Sequence, residues 1–352
     1  MSVEMAQITI QKPWRKQSPK RIASAIAPAL IPIVIASILV KSTGLDGRLG
    51  FVFSWAVVSL ITVIAWPIVT RKPASRGDLF MQTSVIFATG IFLGAIAWLL
   101  QSVIFPGVRA FRFSLLLSDA ETVGVDTPLD QGGLLHAILG SLVIVGLATL
   151  ISVPFGILAA LYITEVRGKL VPYTRFFIQA MSGVPSIVAG LFIYAALIVS
   201  KVLPFTGFTG SLALAILMLP TVARTAEEVI RLVPDELRYA ALALGGTQMR
   251  TVLQVVLPSA RNGLITATIL GIARVAGETA PLLLTAFGSN TTNLNPFSGT
   301  MATLPWYIFT QMTLGTENDV ARAWVAALVL MVIVALFFVL ARTLGRTKTA
   351  RR

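Results

Sequence analysis

Apolar residues in this chain come in long runs rather than at the spacing of a half-buried helix or strand. Eight runs stand out, at 22–40, 51–70, 83–105, 134–164, 176–200, 209–226, 264–288 and 321–344. Most match the roughly 20 residues that a helix needs to cross a hydrocarbon core. The pattern predicts an all-α polytopic membrane protein of about eight transmembrane helices. Some runs carry breakers. Pro154 and Gly156 lie within 134–164, which is longer than one crossing, and Gly183, Pro185 and Gly190 lie within 176–200. The run 209–226 is the weakest on length, because Pro220 interrupts it.

Composition agrees with this pattern. The 352 residues are 56% hydrophobic and 12% charged, with a mean hydropathy of +0.84, which excludes an ordinary soluble domain. A net charge of +13 is compatible with nucleic acid binding, but the basic residues stand at the ends of apolar runs, where they set topology. Assigning the loops alternately, nineteen basic residues fall on the side of the two termini and five on the other. The excess places both termini in the cytoplasm of a plasma-membrane protein. The first run is long and lacks a small-residue cleavage site, so it reads as a retained span rather than a signal peptide. With no cysteine and a single histidine, His136, neither thiol chemistry nor a metal centre is expected. No Gly-rich loop ending in Gly-Lys-Ser/Thr occurs, so no ATP site of that kind and no cofactor is expected in this chain.

The order of segments follows. Residues 1–21 are a basic tail, 22–70 hold two spans, 71–133 a further span and an extracytoplasmic segment, 134–345 the main body, and 346–352 a second basic tail. Within the body, the loop 227–263 is polar and basic. Pro234 presets a turn, Asp235 to Leu244 suits a short amphipathic helix, and Gly245-Gly246 lets the chain leave it left-handed. A second helix is expected from Thr247 to Leu257, stopped or bent by Pro258. The result is a knob outside the membrane that needs a partner surface.

Two arginines interrupt the apolar runs, Arg224 in the sixth and Arg274 in the seventh, with Glu278 four residues after Arg274 and nearly on its helical face. A charge inside a span is costly unless paired or wetted, which makes each a functional hypothesis. One reading is that Arg274 and Glu278 neutralise each other to fix packing, while Arg224 snorkels. The other is a cationic lining for an anion path, since each guanidinium offers a fork of donors to a tetrahedral oxyanion. Gly183-Val184-Pro185 and Leu219-Pro220 would then break their helices and expose backbone near the midplane. For Gly190, close packing is the simpler account.

The loop resembles the coupling loop of ABC-importer permeases, whose pattern is Glu-Ala-Ala, three residues, Gly, nine residues, Ile, one residue, Leu-Pro. Ala240, Ala241, Gly245, Val255, Leu257 and Pro258 fall on its positions, with Tyr239 where Glu is expected. The run IARVAGETAPLL at 272–283 resembles the phosphate-specific branch of these permeases, the PstA type. So do Leu219-Pro220, Val222 to Thr225, Leu232-Val233-Pro234, Gly132 to Ile138 and Ile151 to Gly156. The resemblance covers roughly 83–345 and implies a type I permease core, usually of six spans, so 22–70 would be two additional ones. It further implies a second permease (PstC type), a dimer of ATP-binding subunits (PstB type) carrying the ATP and Mg, and an extracytoplasmic phosphate-binding protein (PstS type). That protein would meet loops 106–133 and 289–320. Arg224, Arg274 and Glu278 would line the path, and the knob at 235–258 would receive ATP-driven movement. A permease for phosphonate, molybdate or sulfate, a secondary transporter, or a structural membrane protein are the alternatives.

Overall fold

The computed structural model describes residues 31–42, 48–70, 76–166 and 168–345. Both basic tails and the start of the first apolar run lie outside them. The described residues are helical, with a single isolated bridge between Phe287 and Met301. The chain divides at Gln101–Ser102 into two units.

The first unit holds α1 (Ile31–Ser42), α2 (Arg48–Thr70) and most of α3 (Arg76–Ala110). Gly90 on α3 lies under the ring of Trp55 on α2, where a Cβ would stand 2.5 Å from the ring. Val52, Phe53, Ile61, Phe92 and Leu93 are exposed, as suits lipid-facing surfaces. The apolar stretches Ile31–Ser42 and Gly50–Thr62 are shorter than a full crossing.

The second unit is built on α4 (Leu135–Leu161), α5 (Val171–Ser182), α6 (Ser186–Ile193), α7 (Gly207–Arg231), α8 (Asp235–Ala243), α9 (Gln248–Thr251), α10 (Leu257–Val275), α11 (Ala280–Leu283), α12 (Leu304–Leu314) and α13 (Glu317–Gly345). Among the described residues, five helices are long and apolar enough to span, or six if the bent pair α5–α6 counts as one. The first expected span, 22–40, begins outside the described residues, and the expected eight is not confirmed by them.

The centre of this unit is α7. Helices α4, α5, α6, α10 and α11 pack against it. Of its apolar window 67% is buried, against 28% or less in the other long helices. This explains why its run looked weak in the sequence: a helix surrounded by protein needs small residues for close approach more than it needs lipophilic ones. Gly210 meets Leu282 and Ala286, while Gly156 of α4 and Gly271 of α10 both close on Val222. Thr206 begins α7 with a reciprocal cap, its hydroxyl accepting from the Thr209 N–H at 3.2 Å and its own N–H donating to the Thr209 hydroxyl at 3.0 Å. Pro220 does not break the helix, contrary to expectation; it is buried within the continuous α7. Nor do Pro154 and Gly156 break α4, which continues through a π turn at Tyr162–Val166.

The bend predicted at Gly183-Val184-Pro185 is present. Helices α5 and α6 meet there at 105°, with Gly183 closing α5 and Pro185 starting α6. Proline disfavours helix in the residue before it and has no N–H to continue the ladder.

The seventh run was expected at 264–288, but the observed helix lies earlier, as Gln248–Val275. Its start is early because a π turn at Val252–Val256 immediately precedes α10, placing Pro258 in the first turn after it. The extra residue in the π turn accommodates the ring that an unbroken α-helix would reject. At the other end, loops from the α3–α4 and α11–α12 connections meet. The Ala120 N–H donates to the Asn290 carbonyl at 3.0 Å, over a core that includes Leu115, Leu134, Leu304 and Tyr307.

Candidate functional site

Arg274, the penultimate residue of α10, reaches α7. Its Nη1 donates to the Thr221 hydroxyl at 2.9 Å, across 53 residues of sequence. Thr221 lies near the middle of α7, and Arg224 is one turn further along. Two cations separated in sequence thus come to one stretch of the α7–α10 pair. Both arginine side chains are exposed. Among the described residues neither forms an ion pair.

Glu278 departs from the expected arrangement. Because α10 ends at Val275, Glu278 falls in the turn that follows and does not share a helix face with Arg274. Its N–H donates to the Val275 carbonyl at 3.2 Å. The mutual neutralisation considered for Arg274 and Glu278 is absent among the described residues. Gly190 is a packing residue, as expected: a Cβ there would stand 2.5 Å from the Pro281 Cα.

The segment after α7 folds much as its turn residues dictate. Pro234 precedes α8, whose first turn carries Asp235 and Glu236, favourable at the positive end of a helix. Gly245 follows α8 with φ of +82°, the left-handed conformation that glycine adopts without steric cost. Thr247 then caps α9, accepting from the Arg250 N–H at 3.3 Å. Leu237, Tyr239, Leu242, Leu244 and Met249 are exposed. Ala240 is exposed too, and Ala241 half-buried. Leu257 packs beside Val256 and Ala260, while Pro258 stays exposed. These apolar side chains stand on the surface of the chain.

Sequence reasoning missed two features. The first is Arg238 of α8, whose Nη2 lies 2.8 Å from Glu165 Oε1 in the π turn that ends α4. Its guanidinium also donates to the carbonyls of Ile230 and Val233 and to Asp235. The Glu165 hydrogen bond holds the guanidinium even more firmly charged than usual, against a smaller opposing effect of burial. No local signal marks this pair, which is 73 residues apart. The second is Arg322 on α13, wholly buried, with Nη2 donating to the carbonyls of Pro128 at 2.7 Å and Gln131 at 2.6 Å. Asp319, equally buried, stands 4.0 Å away one turn earlier. The i,i+3 spacing of an acid and a base at a span's edge was the available signal.

No cluster of potential metal ligands occurs among the described residues.

Residues 152–349, more than half of the chain, match the family described as "Binding-protein-dependent transport system inner membrane component". The phosphate transport system permease protein PstA 1 of Mycobacterium tuberculosis (strain CDC 1551 / Oshkosh) is 41% identical over 290 residues, 81% of this chain and 95% of that protein. PstA of Pasteurella multocida (strain Pm70) is 39% identical, covering 77% of this chain and 94% of its own. A chain of the MetNI methionine ABC transporter in an inward-facing conformation superimposes with a TM-score of 0.48 at 19% identity, covering 61% of this chain and 93% of its own.

Proposed function

Because this chain belongs to the family of binding-protein-dependent transport system inner membrane components, we propose that it is the permease subunit of an ATP-driven phosphate importer in the plasma membrane. The relatives named as phosphate transport permeases support the substrate. The structural observation that carries the reading is the pair Arg274 and Arg224, drawn to one stretch of α7 by the bond to Thr221 and exposed on the chain's surface.

Exposed guanidinium groups on spanning helices are costly against lipid, so that face belongs against protein or water. A second, related permease subunit across it would close a path with cations on its wall. Two forks of donors suit phosphate, and leaving them without carboxylate partners keeps them available to it. Glu278, beyond the end of α10, is the third residue on this path; its negative charge limits how tightly the anion is held, as release requires. The bend between α5 and α6 puts a helix start within the apolar zone, as broken transporter helices do.

The exposed face of α8 and α9, with Tyr239, Ala240, Ala241 and Gly245 before Leu257 and Pro258, is the docking site for a cytoplasmic ATPase dimer. ATP and Mg bind there, not on this chain. The excess of basic residues in the alternate loops supports a cytoplasmic side for this segment and both termini. A phosphate-binding protein delivers its cargo at the opposite face, where the connections α3–α4 and α11–α12 meet.

The test is radiolabelled phosphate uptake in cells carrying the complex, wild type against Arg274→Gln, with protein abundance measured. Loss of uptake at normal abundance is expected. Unchanged uptake overturns the cationic path. Competition by phosphonate, molybdate or sulfate equal to that by unlabelled phosphate overturns the substrate.

A further inference from the structure

We propose that Glu165 and Arg238 form the mechanical link that makes α8 move as one body with the adjoining ends of α4 and α7, and that they are positioning residues for coupling; this rests on the reading of the chain as an ATP-driven permease. The geometry of one guanidinium carries the proposal. Arg238 sits on α8, yet its donors are directed away from the exposed face. Its Nη2 meets Glu165 Oε1 at 2.8 Å, and its Nε lies 3.2 and 3.3 Å from the two carboxylate oxygens. That is a forked contact with the last turn of α4. The same guanidinium closes the end of α7, donating to the Ile230 carbonyl at 3.0 Å and to the Val233 carbonyl. The Ile230 carbonyl also accepts from the Val233 N–H at 3.2 Å, so the guanidinium adds a second donor at the last turn of α7 and one to Val233 just beyond it. Asp235, one turn earlier on α8, accepts at 3.0 Å and fixes the guanidinium's orientation.

Glu165 makes a second connection. Its backbone carbonyl accepts from the Gln248 side chain at 2.6 Å, at the start of α9. One residue therefore holds both helices of the knob, and it lies in a π turn, a rare geometry that recurs at functional positions. The pair is well shielded, with side chains 14% and 9% exposed, so water does little to weaken it. Besides these polar contacts, α8 packs mainly against α9 and the π turn at Val252–Val256, and none of its residues is buried. Arg238 is its side-chain tie to α4 and to the end of α7.

Two measurements on the reconstituted complex test this. The first is phosphate transported per ATP hydrolysed in proteoliposomes. Glu165→Gln and Arg238→Gln are each expected to lower the ratio by about tenfold, within the usual range of coupling between sites. The double variant is expected to be no worse than either single one, because both remove the same link. The second measurement uses spin labels at Leu150→Cys on α4 and Glu236→Cys on α8, in a chain that has no cysteine of its own. Their distance should be narrow and unaffected by nucleotide in the otherwise unmodified chain, and broad with Glu165→Gln. If Glu165→Gln does not assemble, Arg238→Lys is read in its place; it keeps the charge but loses the fork. An unchanged ratio in assembled variants, additive losses, or an unbroadened distance overturns the proposal. Absence of phosphate transport by the wild type would defeat the substrate reading alone, and the distance measurement would still decide the link.

Discussion

The Arg274 guanidinium donates to the Thr221 hydroxyl, and the bond joins the end of α10 to the middle of α7, one turn from Arg224. It fixes the direction of a long charged side chain without neutralising it, which a carboxylate partner would do. Thr221→Val keeps the shape and removes the acceptor. A hydrogen bond to a charged group contributes about 1.5–3 kcal/mol, so the initial rate of phosphate uptake should fall roughly tenfold at normal abundance. A rate equal to wild type would show that the bond does not position Arg274.

Gly245 tests the knob through backbone conformation alone. Its φ is +82°, and a Cβ there would meet nothing within 4 Å, so the cost of a side chain is purely conformational. For a β-branched residue that cost is about 1–2 kcal/mol or more, whereas asparagine tolerates the left-handed region. Gly245→Val is expected to insert normally but to transport little phosphate for the ATP consumed, and Gly245→Asn to behave nearly as wild type. Equal activity of the two would remove the left-handed turn from the coupling account.

Arg322 and Asp319 are a buried pair that also ties the 128–131 loop to α13. Removing one member of a buried pair costs about 3–5 kcal/mol, because the other charge is left unmatched. Arg322→Ala should therefore lower the thermal unfolding midpoint in detergent markedly and reduce folded yield. Little change in the midpoint would mean that water reaches the site.

Gly190 and Gly146 make a matched pair for packing. At Gly190 a Cβ would stand 2.5 Å from Pro281 Cα, and backbone does not yield easily; at Gly146 nothing lies within 4 Å. Gly190→Ala is expected to cost about 1–3 kcal/mol by overpacking and to lower abundance. Gly146→Ala should leave abundance unchanged. Similar abundance of the two would show that α6 and α11 separate freely.

The parts of this fold that were legible in the sequence are those set by local chemistry. The α8–Gly245–α9 segment was visible because Pro234, Gly245 and Thr247 each fix a turn or cap through their own backbone or side chain. The bend at Pro185 was visible for the same reason. What was not legible depends on residues far apart. The sequence cannot say that Pro220 is carried by a helix packed on most of its sides, or that a π turn lets Pro258 be passed without a break. Likewise, Arg274 was read against Glu278, four residues away, while its partner Thr221 sits on another helix. Glu165 and Arg238 lie 73 residues apart, and nothing in the sequence around either marks the pair.

The exposure of Arg224 and Arg274 also bears on the life of the subunit before it functions. A guanidinium on a spanning helix is costly against lipid, so a copy of this chain alone in a bilayer carries a penalty on its α7–α10 face. Assembly lifts that penalty. A copy left alone would thus present two guanidinium groups to lipid with no ion-pair partner among the described residues, and a surface that covers this face would be felt as stability as well as function.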